Sequence, residues 1–580
     1  MTVAMSPGRV PASEVGRGTV TEAVLRWARE KPDRPAFTFV DYSEDNRGRA
    51  TTLTWSEVDS RARAIASGLR ARAEPGDRAV LLLPQGLHYV TAFFGCLYAG
   101  VLAVPLFPVD GAGHRDRIVG VLGDCAPKAL LTTTALLAAT REELAGPFDV
   151  LAVEDLEALP PTGTIAATQA DQPAYLQYTS GSTRQPAGVV VTHRNLMVNA
   201  RQALRAYGVV DEVSPVSWLP LFHDMGLVLG MGSPLVFGSE TVFMDPLAFL
   251  YSPIRWLEAM SGRQSVLSAA PNFAYDLCVR RVPEAKRSTL DLTGVLTLAN
   301  GSEPVRAGTV ARFQEAFAPH GLGADVQRPS YGLAEATVYV TAARQAPVTT
   351  AFDRAALAAG RAVAPVDGQP STTLVGHGAP VDQHVLIVDS ATDEPLPDGR
   401  VGEIRVSGPN VSPGYWSGGE RDVGVFGTTV TDPPAGLPRD GWLRTGDLGV
   451  RHEGQFYVVS RIKDTIIIDG RNHYPQDIEA TVESVDSALR DGHVAAFAVD
   501  RGDQEVLVVV AERSPRTPRE DIDLARLAAL VRAEVSTHHD LRVHDVVLAE
   551  PGTVPRTSSG KLSRSLCRER YLEGSFAVTA

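Results

Sequence analysis

Tyr89-Val-Thr-Ala-Phe-Phe-Gly-Cys-Leu-Tyr-Ala-Gly-Val-Leu-Ala-Val-Pro-Leu-Phe107 runs for nineteen residues without a charge, close to the ~20 needed to cross a bilayer. Its punctuation argues against a span. Gly100 ends a helical run, the stretch up to Pro105 and Leu106 has the branched composition of a strand, and Asp77–Pro84 just before it reads as another strand. An apolar helix between two apolar strands is a buried β-α-β unit, the building block of a parallel sheet covered on both faces. The segment therefore predicts an α/β protein with no stable membrane insertion.

Outward from this unit, residues 20–330 alternate short apolar runs with amphipathic ones. Strands are expected at Ala79–Leu83, Ala103–Leu106, Ala129–Leu131, Gly188–Val191, Val266–Ala269 and Val295–Leu298, spaced widely enough for intervening helices and largely parallel pairing. Ser56-Glu57-Val58-Asp59 reads as a capping box opening a helix with Ile65 and Leu69 on one face. From Val375 to Asp469 the rhythm tightens to closely spaced strands, HVLIVD, EIRVSG, QFYVVS and DTIIID, which predicts a β-rich, barrel-like subdomain. After Gly470 a short α+β segment follows, with a helix near Leu524–Val535. Residues 1–18 carry no apolar signal-peptide core and read as a disordered tail of a cytoplasmic protein.

Composition narrows the function classes. The 580 residues are 44% hydrophobic and 21% charged, with a net charge of −13, as in a globular enzyme and without the basic footprint that nucleic acid requires. Four scattered cysteines form neither a disulfide framework nor a zinc spacing. Only five lysines occur, Lys31, Lys128, Lys286, Lys463 and Lys561, so each one is informative.

The strongest chemical signal is Tyr178-Thr-Ser-Gly-Ser-Thr-Arg-Gln-Pro-Ala-Gly-Val189. A loop of small hydroxyl residues around a glycine turns backbone N–H groups and side-chain donors inward, as a polyphosphate requires. It is not a Walker loop, because Gly560-Lys561 is followed by Leu562. This loop resembles the phosphate loop of the adenylate-forming superfamily, with Arg184 and Ala187 where that superfamily has Gly and Lys. With WLPLFHDMGL (Trp218–Leu227), NFAYDL (Asn272–Leu277), PSYGLAEATVYV (Pro329–Val340) and RIKDTIIIDGRNHYPQDIE (Arg461–Glu479), it resembles the fatty acyl-AMP ligases in particular, from about Thr21 to Tyr571.

That resemblance implies roles for particular residues. Thr179, Ser180, Gly181, Ser182, Thr183 and Arg184 would hold phosphates. Gly301, Ser302, Tyr331 and Gly332 would wall the adenine pocket, with Tyr331 as the stacking face. Glu335 would hold Mg²⁺. Asp447, read as a short carboxylate at a tight turn, would accept from both ribose hydroxyls, assisted by Arg461. His223 would lie beside the reacting carboxylate, Lys463 would mark an interdomain hinge, and Lys561 would be the catalytic lysine that neutralises charge as a carboxylate attacks the α-phosphorus. The implied organisation is a large domain over 19–460, a hinge at 461–463 and a small mobile domain over 464–580.

The resemblance implies an ATP-dependent ligase that converts a fatty acid to acyl-AMP. Thr349–Thr373 resembles an insertion that fatty acyl-AMP ligases carry and acyl-CoA synthetases lack. It implies restraint of the small domain and transfer to the phosphopantetheine arm of an acyl carrier protein, in polyketide- or lipopeptide-type biosynthesis, rather than to CoA. An acyl-CoA synthetase, an amino-acid-adenylating domain and a noncatalytic nucleotide-binding protein are the alternatives. Asp224 raises the second, since an ammonium needs a carboxylate, but Leu227–Ser239 is small and apolar, as an alkyl tunnel requires. His538-His539-Asp540 offers no third metal ligand nearby and reads as an exposed loop.

Overall fold

Leu87–Ala99 is a helix that ends at Gly100, whose φ of 76° allows its N–H to close the last turn onto Cys96 and Leu97. Every residue from Tyr89 to Ala99 is buried, because the helix lies between two sheets. Phe94 meets Phe37 of one sheet at 6.0 Å between ring centroids, and Phe93 meets Tyr175 of the other at 5.6 Å. A helix enclosed on both sides has no solvated face to carry charge. This accounts for its membrane-like composition, and no helix among the described residues is long and apolar enough to cross a membrane.

The computed structural model describes residues 18–109, 112–162, 164–178, 186–468, 471–501, 504–557 and 560–576. One sheet has six strands, in the order Asp149–Ala152, Ala129–Thr132, Arg78–Leu82, Leu102–Leu106, Pro173–Tyr178 and Gly188–Thr192. All its neighbours are parallel except the last two, which form an antiparallel hairpin. The expected phosphate loop is therefore the connection of a hairpin. The other sheet has eight strands, with Val295–Asn300 between Val266–Ala270 and Gln327–Tyr331, and is parallel except at its two edges. A shared apolar core, including Trp55, Phe93, Trp256 and Tyr275, fills the space between these layers.

Local chemistry shifts some expected boundaries. The helix Trp55–Arg70 is capped by Thr54, not Ser56: Thr54 N–H donates to Glu57 Oε2 at 2.8 Å, and Glu57 N–H donates back to Thr54 Oγ1 at 3.3 Å. Its box is Thr54-x-x-Glu57, two residues earlier than Ser56 suggests. His538 and His539 end the helix Leu524–His539 instead of lying in a loop, and His539 is buried, with Nε2 2.7 Å from Thr481 Oγ1.

The β-rich region is not a barrel. His384–Val388, Val401–Ser407, Leu443–His452 and Gln455–Arg461 form an open, four-stranded antiparallel sheet. Closure fails because the DTIIID run leaves this sheet: Ile466–Ile468 pairs with Arg471–His473 in a separate ribbon, and Ile466 packs among residues 478–543. There, Leu489–Arg501, Gln504–Arg513 and Val543–Ala549 make a three-stranded sheet with apolar clusters of its own.

The Thr349–Thr373 stretch is an ordered module. Thr349–Asp353 and Ser371–Val375 pair antiparallel around the short helix Arg354–Ala358. It packs on the C-terminal body, with Arg354 Nη1 donating to His538 O at 2.7 Å, Tyr474 Oη to Leu357 O at 3.1 Å and Thr372 Oγ1 to Asp477 Oδ2 at 3.2 Å.

Candidate active site

The loops after parallel strands converge at the carboxyl ends of the eight-stranded sheet, where open α/β folds hold ligands. Gly301 and Ser302 follow Val295–Asn300, and Tyr331 ends the neighbouring Gln327–Tyr331 strand with Gly332 directly after it. The two loops are pressed together: a Cβ on Gly301 would lie 2.5 Å from Ser330 O, and one on Gly332 would lie 1.5 Å from Val338 O. Only glycine fits at either place, which explains the two motif glycines physically.

Asp447 lies within the strand Leu443–His452, not at a tight turn between strands. Its strand is bent there, with Gly446 at a φ of 69° and a register shift beginning at Leu448, so the local sequence reads as a turn while pairing continues. Arg461 is its cross-strand partner. Arg461 Nε lies 3.2 Å from Asp447 Oδ1, and Tyr331 Oη donates to Asp447 Oδ2 at 2.7 Å. The geometry joins three residues quoted from three separate motifs. Burial and then the Asp447 charge raise the Tyr331 phenol well above its ordinary range, so it stays a neutral donor.

Glu335 sits in a single-turn segment after Gly332, where its Oε1 accepts from Tyr415 Oη at 2.8 Å. Burial raises its pKa, against the hydrogen bonds it accepts and the Arg461 charge. A hard carboxylate oxygen held in a poorly solvated place suits a Mg²⁺ ion that takes its other ligands from phosphate and water. Among the described residues no group of three or more acidic, histidine or cysteine side chains is gathered to hold a metal.

His223 caps the short helix Asp224–Leu227, with Nδ1 2.7 Å from Asp224 Oδ1, and Met225 N–H donates to the same oxygen at 2.6 Å. Burial opposes ionisation of Asp224, but His223, Lys561 and that N–H together hold its carboxyl below the usual range. Gln177 Nε2 donates to Phe222 O at 2.9 Å, tying this turn to the strand that leads into the phosphate loop. Met225 Sδ, 3.6 Å from Ser302 Oγ, joins it to the adenine-side loop. The expected phosphate residues Thr179, Ser180, Gly181, Ser182, Thr183 and Arg184 lie outside the described residues.

Lys561 reaches the same place from the C-terminal body. Burial lowers the pKa of its ammonium, the charges of Asp224, Glu303 and Asp447 counter that effect, and Arg461 reinforces it. Its ammonium is thus within electrostatic reach of Asp224 in a short helix, Glu303 in a loop and Asp447 in a strand. Lys463 lies in the turn Ile462–Asp464 directly after Arg461, where burial and the Arg461 charge lower its pKa. Two contributors carried no assigned role: Glu303, whose Oε1 accepts from Phe273 N–H at 2.6 Å, and Tyr415. Glu303 directly follows Gly301 and Ser302 in Asn300-Gly-Ser-Glu-Pro304, so its place in the chain is a signal for it. Tyr415, 80 residues from Glu335, has no local signal.

The chain that carries Asp447, Glu335 and Lys561 has counterparts among known proteins. Residues 24–416 match the AMP-binding enzyme family, and residues 463–580 match the AMP domain of Disco-interacting protein 2-like proteins. The chain belongs to the AMP-binding enzyme family and is an adenylate-forming ligase. It is 43% identical to the long-chain-fatty-acid–AMP ligase FadD26 of Mycobacterium marinum, covering 95% of this chain and 96% of that one. It is also 41% identical to a 4-hydroxyphenylalkanoate adenylyltransferase of Mycobacterium tuberculosis, covering 97% and 93%. A fatty acyl-adenylate ligase from L. pneumophila, solved in complex with acyl adenylate and pyrophosphate, superposes with a TM-score of 0.74 at 34% identity over 97% of each chain.

Proposed function

We propose that this enzyme activates a fatty acid with ATP and passes the acyl group to the phosphopantetheine thiol of an acyl carrier protein. One arrangement supports the first step: Asp447 is bonded by Tyr331 and faces Arg461, and Lys561 lies within electrostatic reach of Asp224, Glu303 and Asp447. A fatty acid carboxylate oxygen attacks the α-phosphorus, a P–O bond forms, and the bond to the β-phosphate breaks to release pyrophosphate. The thiol then attacks the acyl carbonyl, and AMP leaves with the bonding electron pair.

Each group contributes by charge or position. Asp447 accepts from the ribose hydroxyls, with Arg461 Nε 3.2 Å from its Oδ1 holding it in place. Tyr331, between Gly301-Ser302 and Gly332, stacks on adenine. His223 orients the incoming carboxylate, while Thr179–Arg184 enclose phosphates. Lys561 bridges the two anions that must approach, where a fixed cation lowers the barrier more than a mobile one. Mg²⁺, held by Glu335, would supply charge neutralisation on the phosphate oxygens. Trp218, stacked on Phe249 at 4.0 Å, and the buried Val228–Gly232 turn supply the apolar wall that an alkyl chain needs.

The acceptor reading is supported by the Thr349–Thr373 module, whose Arg354 and Leu357 bond the C-terminal body. A tethered body rotates less readily, which disfavours free CoA. We place the larger domain at 19–460, the hinge at 461–463 and the small domain at 464–580, in a cytoplasmic enzyme. Purified protein, ATP, Mg²⁺ and a chain-length series of fatty acids, with and without CoA, test the assignment by mass spectrometry. Acyl-AMP that persists with CoA present is the expected result. Acyl-CoA would overturn the acceptor, and adenylates of amino or aryl acids alone would overturn the substrate.

A further inference from the structure

A continuous path of polar contacts connects the adenine-side loop to the catalytic lysine. Arg306 stands just past the Asn300–Pro304 loop, its backbone N–H held by Asn272 Oδ1 at 3.1 Å. Its Nη1 donates to Glu483 Oε2 at 2.7 Å, across the boundary between the two bodies, while Glu483 Oε1 accepts from Gly492 N–H at 2.8 Å. Gly492 O in turn accepts from Arg556 Nη2, and Arg556 Nη1 donates to Gly560 O at 2.5 Å. Gly560 immediately precedes Lys561.

The central pair is not an ordinary surface bridge. The Glu483 side chain is 9% exposed and that of Arg306 42%, so the carboxylate has exchanged water for Arg306 and Gly492. A second cross-boundary pair, Arg280 with Asp491 at 3.3 Å, is exposed on both sides, at 53% and 68%, and such pairs contribute little. Gly560 lies near Phe273 of the larger body, where an added Cβ would have the ring edge 4.0 Å away.

We propose that the Arg306–Glu483 pair is a positioning latch for adenylation, holding Arg556 and, through it, Gly560 beside Lys561, and affecting the chemistry only through Lys561. The inference rests on the acyl-AMP reaction proposed above.

Single-turnover acyl-AMP formation tests it. Arg306→Met and Glu483→Gln should each slow the reaction about tenfold with KM for ATP nearly unchanged, since neither side chain belongs to the nucleotide wall. Arg306→Lys, which keeps the cation, should recover most of the rate. The Arg306→Met/Glu483→Gln double variant should be no slower than the slower single one, and Arg306→Met should add nothing in a Lys561→Ala background, as expected for residues acting as one unit. Multiplicative losses on that background, or a KM increase in place of a rate loss, would overturn the latch. Wild-type enzyme that forms acyl-AMP while Arg306→Met matches it also overturns the latch and leaves the reaction standing. A wild-type enzyme that forms no acyl-AMP overturns both.

Discussion

The two halves of the site are built in different ways. The half proposed to hold nucleotide is knit together by strand pairing: Tyr331, Asp447 and Arg461 are joined by direct contacts of 2.7 and 3.2 Å across paired strands and adjacent loops. The lysine half belongs to the C-terminal body and is linked across the boundary by the Arg306–Glu483 contact and the Arg556 bonds. Strand pairing fixes a side chain through many cooperative bonds, whereas a boundary of few contacts is open to rearrangement. Under the proposed function, the first half would hold nucleotide and the second would present the lysine to it.

This contrast predicts its own largest effect at the lysine half. Lys561→Ala should slow acyl-AMP formation about 100-fold or more, the scale of removing one preorganised donor at a developing charge, while leaving nucleotide affinity nearly intact. Measured kcat and KM for ATP check this. A fully active Lys561→Ala enzyme would mean that the convergence of Lys561 on Asp224, Glu303 and Asp447 has no catalytic meaning.

Asp447→Asn probes the fixed half and should show the opposite split. It weakens the Arg461 contact and removes the charge offered to the ribose hydroxyls, and hydrogen bonds to charged groups contribute about 1.5–3 kcal/mol. KM for ATP should rise by at least about tenfold, with a smaller effect on kcat once nucleotide is saturating. Equal losses in kcat and kcat/KM would instead place Asp447 in the transition state and erase the contrast between the halves.

The same division explains what was legible before any coordinates. Tyr89–Phe107 read correctly as a buried β-α-β unit because Gly100 is local punctuation, and the site glycines Gly301 and Gly332 stood in short motifs. Pairings across sheets and bodies were not legible. Asp447 looked like a turn residue because Thr445 and Gly446 are turn formers, and only the strand register shows Arg461 opposite it. Closely spaced strands suggested a barrel, since nothing local says that Ile466 leaves the sheet for the core around Ile478 and Val482. The latch joins Arg306 to a residue 177 positions away, and no spacing rule reaches that far.

The Thr349–Thr373 module sharpens the comparison from the other side of the boundary, because its Arg354, Leu357 and Thr372 bond the C-terminal body at His538, Tyr474 and Asp477. Arg354→Ala removes the bond to His538 O, together with the bonds to Thr372 Oγ1 and Ser371 O inside the module, and leaves the Tyr474–Leu357 bond in place. It should raise acyl-CoA formation several-fold, an increase of the size that one lost cross-boundary hydrogen bond of about 1 kcal/mol allows; deletion of the whole module should raise it further. Mass-spectrometric yields of acyl-CoA from equal amounts of acyl-AMP measure this, and no gain from either variant would remove the module from acceptor choice.

The smallest effect concerns pH. Asp477 accepts from Thr372 at this same seam, and burial raises its pKa from 3.8 to about 6 despite the Arg354 charge. Its folded-state pKa exceeds the unfolded one, so protonation favours the docked, folded form. That contribution is fully present below about pH 4 and is lost as pH rises through about 6. Asp477→Asn cannot titrate, and its thermal midpoint should therefore depend less on pH between 4 and 6 than that of the wild type. The difference should be a few degrees at most in a chain of this size. Parallel pH profiles would show that Asp477 is solvated when the module docks, and the seam would then be held by Arg354, Leu357 and Tyr474 alone.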